Sequence, residues 1–165
     1  MEKLIEKLDS YNILNNLLPG IVLEYLFENM LNVKLVDGSI VENLFVFYFL
    51  GMVVSRIGSV VVEPLCKKIK WVKYASYGEY LKASKKDVKI DLLSEINNTY
   101  RTILTVCLIL LLAKGFLFIV SKIGISRYCM QFIVIIGLIM LFAVAYKKQT
   151  NYVANRVKKV NEREE

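Results

Sequence analysis

The chain has 165 residues, 56% of them apolar, and a formal net charge of +7. Long unbroken apolar runs at this length exclude an ordinary soluble domain and indicate membrane helices. The sequence contains no His, which removes the commonest metal ligand and the commonest general base. We therefore expect an all-helical integral membrane protein, a single domain over residues 1–165, with no metal and no cofactor.

The first apolar segment, residues 13–31, is the weakest of four because Glu24 and Glu28 interrupt it. It is still long enough to cross a bilayer. Pro19 and Gly20 inside it predict a kink or a broken helix, which frees backbone carbonyl groups. The residues before it are mixed in charge and no small-residue cleavage site follows, so we expect no cleaved signal peptide.

The second segment, residues 40–62, contains a face of small side chains. Gly51, Ser55 and Ser59 recur every four residues, and Gly58 adds a further small position. Small residues at this spacing are typical of helices that pack closely in membranes. We therefore expect a neighbouring helix against this face.

Arg56 lies beside the small-residue face, in the half of the segment nearer Glu63. Three interpretations remain open. The guanidinium extends to the headgroups and binds lipid phosphate without specificity, joins a structural network, or forms a specific site for a lipid headgroup or another anionic ligand. The candidate partners are Asn15, Asn16, Tyr100 and, if the side chain extends toward it, Glu63.

Residues 63–101 form a long, charged connection between the second and third segments. Its apolar residues fall near helical spacing with lysines between them: Leu81, Val88, Leu92 and Ile96. This pattern predicts a cytosolic amphipathic helix that runs into the third span. Such a helix packs on the protein's own surface, lies on anionic headgroups or docks a cytosolic protein, and the three alternatives remain open.

The third and fourth segments, residues 102–121 and 129–146, are the clearest, and each has the length of a bilayer-spanning helix. The tail, residues 147–165, is expected to continue the fourth helix, with basic residues at the headgroups. The four segments together predict a four-helix membrane bundle. A two-span alternative leaves the apolar run LFVFYFLGMVV in water or in a small soluble core, and we consider it less well supported.

Glu24 and Lys114 are expected at a similar depth, because the first and third spans run in the same direction. A lone charge at the middle of a bilayer costs at least about 2.5 kcal/mol, so we predict that the two pair, within one chain or between two copies. The alternatives are that Lys114 snorkels and Glu24 is bonded locally, or that both line a polar track for ions, water or a small ligand.

The basic residues are unevenly distributed between the connecting segments. Seventeen Lys and Arg fall in the first twelve residues, residues 63–101 and the tail, against three in the two short connections. The positive-inside rule then places both termini and residues 63–101 in the cytoplasm, with the spans in a bacterial inner membrane. Beside a span, patches such as KKIKWVK favour anionic membrane lipids over nucleic acid as partners.

The stretch LGMVVSRIGSVVVEPL, with LLPG before it and EINNTYRT after it, resembles small bacterial multi-span proteins associated with anti-phage defence. The resemblance covers about the first hundred residues. It implies a compact membrane component paired with a cytosolic sensor or effector, and it assigns no chemistry to any residue.

The functional expectation combines these features. We expect a homo-oligomeric effector or sensor subunit that perturbs or permeabilises the membrane on a cytosolic signal, through an intramembrane polar site. Its residues are Glu24, Arg56, Lys114 and Glu63. The lack of a P-loop, GxSxG or HExxH motif indicates that it is not an enzyme. The alternative is a static scaffold that anchors a cytosolic partner protein.

Overall fold

The computed structural model describes the backbone of residues 2–123 and 126–161 and the side chains of residues 15–122, 126 and 129–158. The described chain is helical and contains no strand, which confirms the predicted all-helical class for those residues. The helices are α1 (Glu2–Leu31), α2 (Ile40–Ile57), α3 (Glu63–Lys68), α4 (Tyr77–Ser84), α5 (Lys89–Ile123) and α6 (Arg127–Asn161). A π-helical turn, Gly58–Val62, joins α2 to α3.

Three stretches of helix in the described chain are long and apolar enough to cross a membrane: Ile40–Lys68, Lys89–Lys122 and Cys129–Lys158. Many of their large apolar side chains are exposed, as expected of a surface that faces lipid, where burial from water comes from the bilayer itself. Helix α1 covers the predicted segment 13–31 but is not among the three. Glu24, Glu28 and the asparagines of segment 13–31 lower the mean hydropathy of this segment.

Helix α1 packs against α2 more extensively than any other pair of helices in the described chain. At their closest point a Cβ on Gly51 would overlap the carbonyl oxygen of Asn16, and one on Gly20 would overlap that of Phe47. Only glycine allows two backbones to approach this closely. Leu23, Val54 and Val106 form the buried core where α1, α2 and α5 meet.

The two prolines lie within helical stretches. Helix α1 continues through Pro19, so the predicted alternative of a broken helix is wrong. Pro64 is the second residue after the π turn, and the chain stays helical to Lys68. Proline lacks an N–H and its ring crowds the carbonyl four residues before it, and the wider π turn relieves both constraints without ending the helix.

Residues 77–123 form two helices where the sequence pattern predicted one. Helix α4 begins with a capping box between Ser76 and Glu79. Its last turn ends at Ser84, and the Asp87 carboxylate then accepts the Lys89 amide N–H at 2.9 Å, which starts α5. Leu81 is buried, whereas Val88 in the turn is 82% exposed. The prediction of a single amphipathic helix is therefore wrong, because local capping ends α4 and starts α5 within the stretch that has helical apolar spacing.

Helices α5 and α6 both extend past the apolar part of their spans on the same side as α3. There the Tyr80 hydroxyl donates to Asp91 at 2.8 Å, and partial burial together with this hydrogen bond raises the pKa of Tyr80. The rings of Tyr77 and Tyr152 lie 6.1 Å apart, which joins α4 to α6. We call α4, residues 89–100 of α5 and residues 149–161 of α6 the juxtamembrane helices.

Candidate functional site

Glu63 is the centre of a charged site where three apolar helical stretches end. It is the first residue of α3 and is only 7% exposed. Its neighbours Arg101 and Lys148 stand at matching positions, since Arg101 precedes the apolar run of α5 and Lys148 follows that of α6. The three side chains therefore meet at the boundary between apolar and charged sequence.

The Glu63 carboxylate is shared by three cations. Oε2 lies 2.6 Å from Nη1 of Arg101 and 3.8 Å from Nζ of Lys148, and Oε1 lies 2.7 Å from Nζ of Lys67. We call Glu63, Lys67, Arg101 and Lys148 the Glu63 cluster. A buried charge is tolerated when it is paired and hydrogen-bonded on both oxygens, as here.

The π turn supplies a second acceptor for Lys148. Within this turn the Glu63 N–H donates to the carbonyl of Gly58, so the next carbonyl, that of Ser59, would take its partner from residue 64. Residue 64 is Pro and has no N–H. Lys148 Nζ donates instead to the Ser59 carbonyl at 2.6 Å and to its hydroxyl at 2.9 Å. The π turn and Pro64 thus leave the Ser59 carbonyl available to Lys148. The hydrogen bond between them links α6 to the turn that follows α2.

Gly58 lets Arg101 approach α2. A Cβ at Gly58 would lie 2.8 Å from the Thr105 hydroxyl and 3.5 Å from Arg101 Nε. The Thr105 hydroxyl donates to the Arg101 carbonyl at 2.8 Å. Arg101 Nε is buried and has no hydrogen-bond partner in the described part of the chain. The guanidinium is therefore held mainly by Glu63.

Arg56 does not join a structural network among the described side chains, which was one of the three interpretations that the sequence left open. It is exposed and lines a small cavity of about 20 Å³ with Ser59, Lys148, Gln149 and Tyr152. Of its candidate partners, Asn15 instead accepts a hydrogen bond from Thr99 at 3.4 Å. Among the described side chains Arg56 pairs with neither Glu63 nor Tyr100.

Glu24 is satisfied by the backbone of the loop that follows α1. Its carboxylate accepts the Leu35 N–H at 3.0 Å and the Val36 N–H at 3.2 Å, and it is buried. Lys114 is exposed on α5, and no carboxylate in the described chain lies within ion-pairing distance of it. The Glu24–Lys114 pair is therefore not formed within one chain, because the nearer loop amides occupy Glu24. A pair between two copies stays a prediction.

The small residues of α2 and the π turn face three different helices. Gly51 meets α1, Gly58 meets α5, and Ser59 binds Lys148 of α6. Ser55 is half-buried. A single neighbouring helix was predicted on this face, but the spacing of small residues cannot tell one neighbour from three.

Sequence reasoning missed Arg101 and Lys148. Each is the cation that bounds an apolar run, and Glu63 is the carboxylate that bounds another. Apolar runs of similar length that cross one bilayer end at similar depths. The opposite charges at the ends of these runs could therefore have indicated that Glu63 pairs with Arg101 and Lys148.

The fold and the site together describe a small helical chain, compatible with a multi-pass membrane protein, whose apolar helices are joined at one end by buried ion pairs. Within the described residues no group of three or more His, Cys, Asp or Glu side chains could hold a metal ion. No known protein family, curated protein or solved structure matches the chain.

Proposed function

We propose that this chain is an oligomeric subunit of a bacterial inner-membrane effector or sensor, with both termini in the cytoplasm. A cytosolic signal received by the juxtamembrane helices loosens the Glu63 cluster, and the loosened bundle permeabilises the membrane. Helix α1 crosses beside α2 as the fourth span. The anti-phage context implied by the sequence resemblance remains a prediction.

The observation that supports this proposal most is the continuity of α5 and α6. Each is a single helix of 35 residues that begins or ends among the juxtamembrane helices and continues into an apolar span. The Glu63 cluster lies where both helices change from charged to apolar sequence. A rigid-body movement of either juxtamembrane helix is therefore transmitted to the cluster.

The energetics of the cluster favour a two-state response. A buried ion pair contributes little while it is intact, but breaking one by removing a partner costs about 3–5 kcal/mol. Three cations around one carboxylate also repel each other. A signal that draws Lys148 away therefore changes the packing of α2 against α6 at once.

Two charges support self-association. Lys114 and Glu28 are both exposed, and both are expected toward the outer half of the bilayer. An unpaired charge facing lipid is costly, and a second copy of the chain offers the opposite charge.

At the other end, Leu65, Ile69 and Trp71 are exposed beside lysines, a composition typical of contact with headgroups.

The test uses Glu63→Gln as a substitute for the signal. The full-length protein is reconstituted into phosphatidylethanolamine–phosphatidylglycerol vesicles loaded with carboxyfluorescein, and dye release is compared with that of the unmodified chain. We expect the variant to release dye severalfold faster, because neutralising Glu63 leaves its cations unpaired and separates α5 and α6 from α2.

Two controls separate a gating role from simple damage. Glu28→Gln removes an exposed carboxylate, and Gly51→Ala destabilises the α1–α2 contact without touching the cluster. Both are expected to stay as tight as the unmodified chain. If Glu63→Gln vesicles retain the dye, the effector function is wrong and the static scaffold takes its place; equal leakage from Gly51→Ala would show that instability alone causes release.

A further inference from the structure

We infer that α2 and α6 form a site for an anionic phospholipid, with the phosphate between Arg56 and Lys148 and one acyl chain in the groove between the helices. Lys148 also belongs to the Glu63 cluster, but Arg56 and the groove take no part in the proposed function, and the site stands whether or not the chain permeabilises membranes. Two adjacent features support it.

The first feature is an excess of positive charge at the mouth of the site. Three cations, Lys67, Arg101 and Lys148, surround one carboxylate, Glu63, and a fourth cation, Arg56, lines the small cavity with Lys148. Among the described residues Arg56 forms no hydrogen bond or ion pair. A guanidinium at this position offers two parallel donors to phosphate oxygens.

The small cavity shows where the phosphate binds. Arg56 starts about 10 Å deeper than Glu63 along its helix. It nevertheless shares the cavity with Lys148, Gln149 and Tyr152, so its side chain extends toward the headgroup level. The cavity volume of about 20 Å³ has room for a water molecule or one phosphate oxygen. Arg56, Lys148 and Gln149 all present hydrogen-bond donors to it.

The second feature is an apolar groove of about 510 Å³ that opens on the same surface. Val53, Ile57, Val60 and Val61 line one side, and residues of α6 from Val134 to Val144 line the other. Val60 lines both the groove and the small cavity, so the two are adjacent. The eleven residues from 134 to 144 span about 15 Å, which is half of the hydrocarbon core and the depth of one leaflet.

Charge and length together identify the occupant. A second copy of the chain would have to place an apolar helix in the groove and leave Arg56 without a partner. An anionic phospholipid fills the groove with an acyl chain and supplies the phosphate in one molecule. Because the groove walls are valines, leucines and a methionine, the acyl chain adds contact area without hydrogen bonds.

The test measures lipid retention by native mass spectrometry of the full chain released from detergent. The lipids are palmitoyl-oleoyl phosphatidylglycerol and palmitoyl-oleoyl phosphatidylcholine, which share their acyl chains and differ in net charge. We expect the unmodified chain to retain phosphatidylglycerol roughly tenfold more tightly, because the choline cation of phosphatidylcholine offsets the phosphate charge that Arg56 and Lys148 attract. Equal retention of the two lipids would overturn the inference.

Two matched pairs of variants locate the site. Arg56→Gln is expected to abolish the preference for phosphatidylglycerol, whereas Arg156→Gln, on the exposed end of α6, leaves it unchanged. Gly137 lines the groove and has open space around it, so Gly137→Phe fills the groove without disturbing the fold. We expect it to weaken retention of both lipids, while Gly115→Phe, at an equally open position on α5, has no effect.

Two further outcomes would assign lipid retention to a different cause. An equal loss for Arg56→Gln and Arg156→Gln would mean that general surface charge retains the lipid. Full competition by millimolar glycerol phosphate would identify a free-phosphate site without the acyl chain. Either result overturns the phospholipid site, and neither bears on dye release by Glu63→Gln.

Discussion

The two ends of the bundle each bury one glutamate, and they satisfy it in opposite ways. Glu24 and Glu63 are both 7% exposed. Glu24 accepts two backbone N–H groups from a loop that starts within a dozen residues of it. Glu63 is surrounded by side-chain cations from α3, α5 and α6.

The contacts of Glu24 are local in the sequence, whereas those of Glu63 connect different helices. The Glu24 end holds one loop in place, and the two amides it binds belong to consecutive residues. The Glu63 end joins elements that lie far apart in the sequence, so its ion pairs depend on the relative positions of whole helices. We therefore expect the Glu24 end to remain fixed while the Glu63 end responds to signals.

The largest expected effect is at Glu63. Glu63→Ala leaves the partly buried Arg101 and Lys148 without their counter-charge, and we expect the free energy of unfolding to fall by about 3–5 kcal/mol. Unfolding by sodium dodecyl sulphate in dodecyl maltoside micelles, followed by circular dichroism, measures this loss. Glu28→Ala is the control at an exposed carboxylate. A loss under about 1 kcal/mol would mean that the cluster behaves as a surface ion pair.

Between the two ends, Gly51 fixes the α1–α2 crossing. Gly51→Ala places a Cβ on the Asn16 carbonyl, a backbone atom that no rotamer change can move, so we expect a loss of about 3 kcal/mol. Gly115→Ala and Gly137→Ala meet no atom within 4 Å and are expected to gain roughly 0.5 kcal/mol through helix propensity. The same unfolding titration applies, and similar values for all three would rule out the close crossing.

Glu24→Gln is expected to cost less, about 1.5 kcal/mol, because the amide oxygen still accepts one loop N–H after the charge is lost. Hydrogen exchange at Leu35 and Val36 should accelerate with it. The effect should add to that of Glu63→Gln within about 0.5 kcal/mol, since the sites share no partner. A larger coupling would show that the two ends respond together.

The smallest effect concerns Glu79, an exposed carboxylate that caps α4 through backbone N–H contacts like those of Glu24. Its hydrogen bonds with Ser76 hold the pKa of Glu79 below its ordinary value. The cap therefore stabilises α4 above that ordinary value and is lost as the pH falls through the lowered pKa. Hydrogen exchange of the α4 peptide, corrected for intrinsic rates, should rise at acidic pH. Glu79→Gln should remove this pH dependence, because the amide does not titrate in this range.

Part of the site was predictable from the sequence. The small residues of α2 indicated close packing, and Gly51, Gly58 and Ser59 do contact neighbouring helices. The intrachain partner of Glu24 was predicted wrongly, because depth alone matched it to Lys114. Depth says nothing about which face of a helix a side chain occupies, and it ignores the backbone amides of a nearby loop.

The sequence by itself determined that the chain is helical and that it carries apolar segments long enough to cross a membrane, because apolar composition over a sufficient length depends on no distant contact. It predicted four such segments, and three of the described helices are long and apolar enough. Only the tertiary structure decided the partners of each buried charge. Those partners depend on the rotation of every helix about its axis and on the π turn before Pro64, which leaves the Ser59 carbonyl free to accept Lys148. Helix rotation is set by packing between residues distant in sequence, such as Gly58 against Thr105.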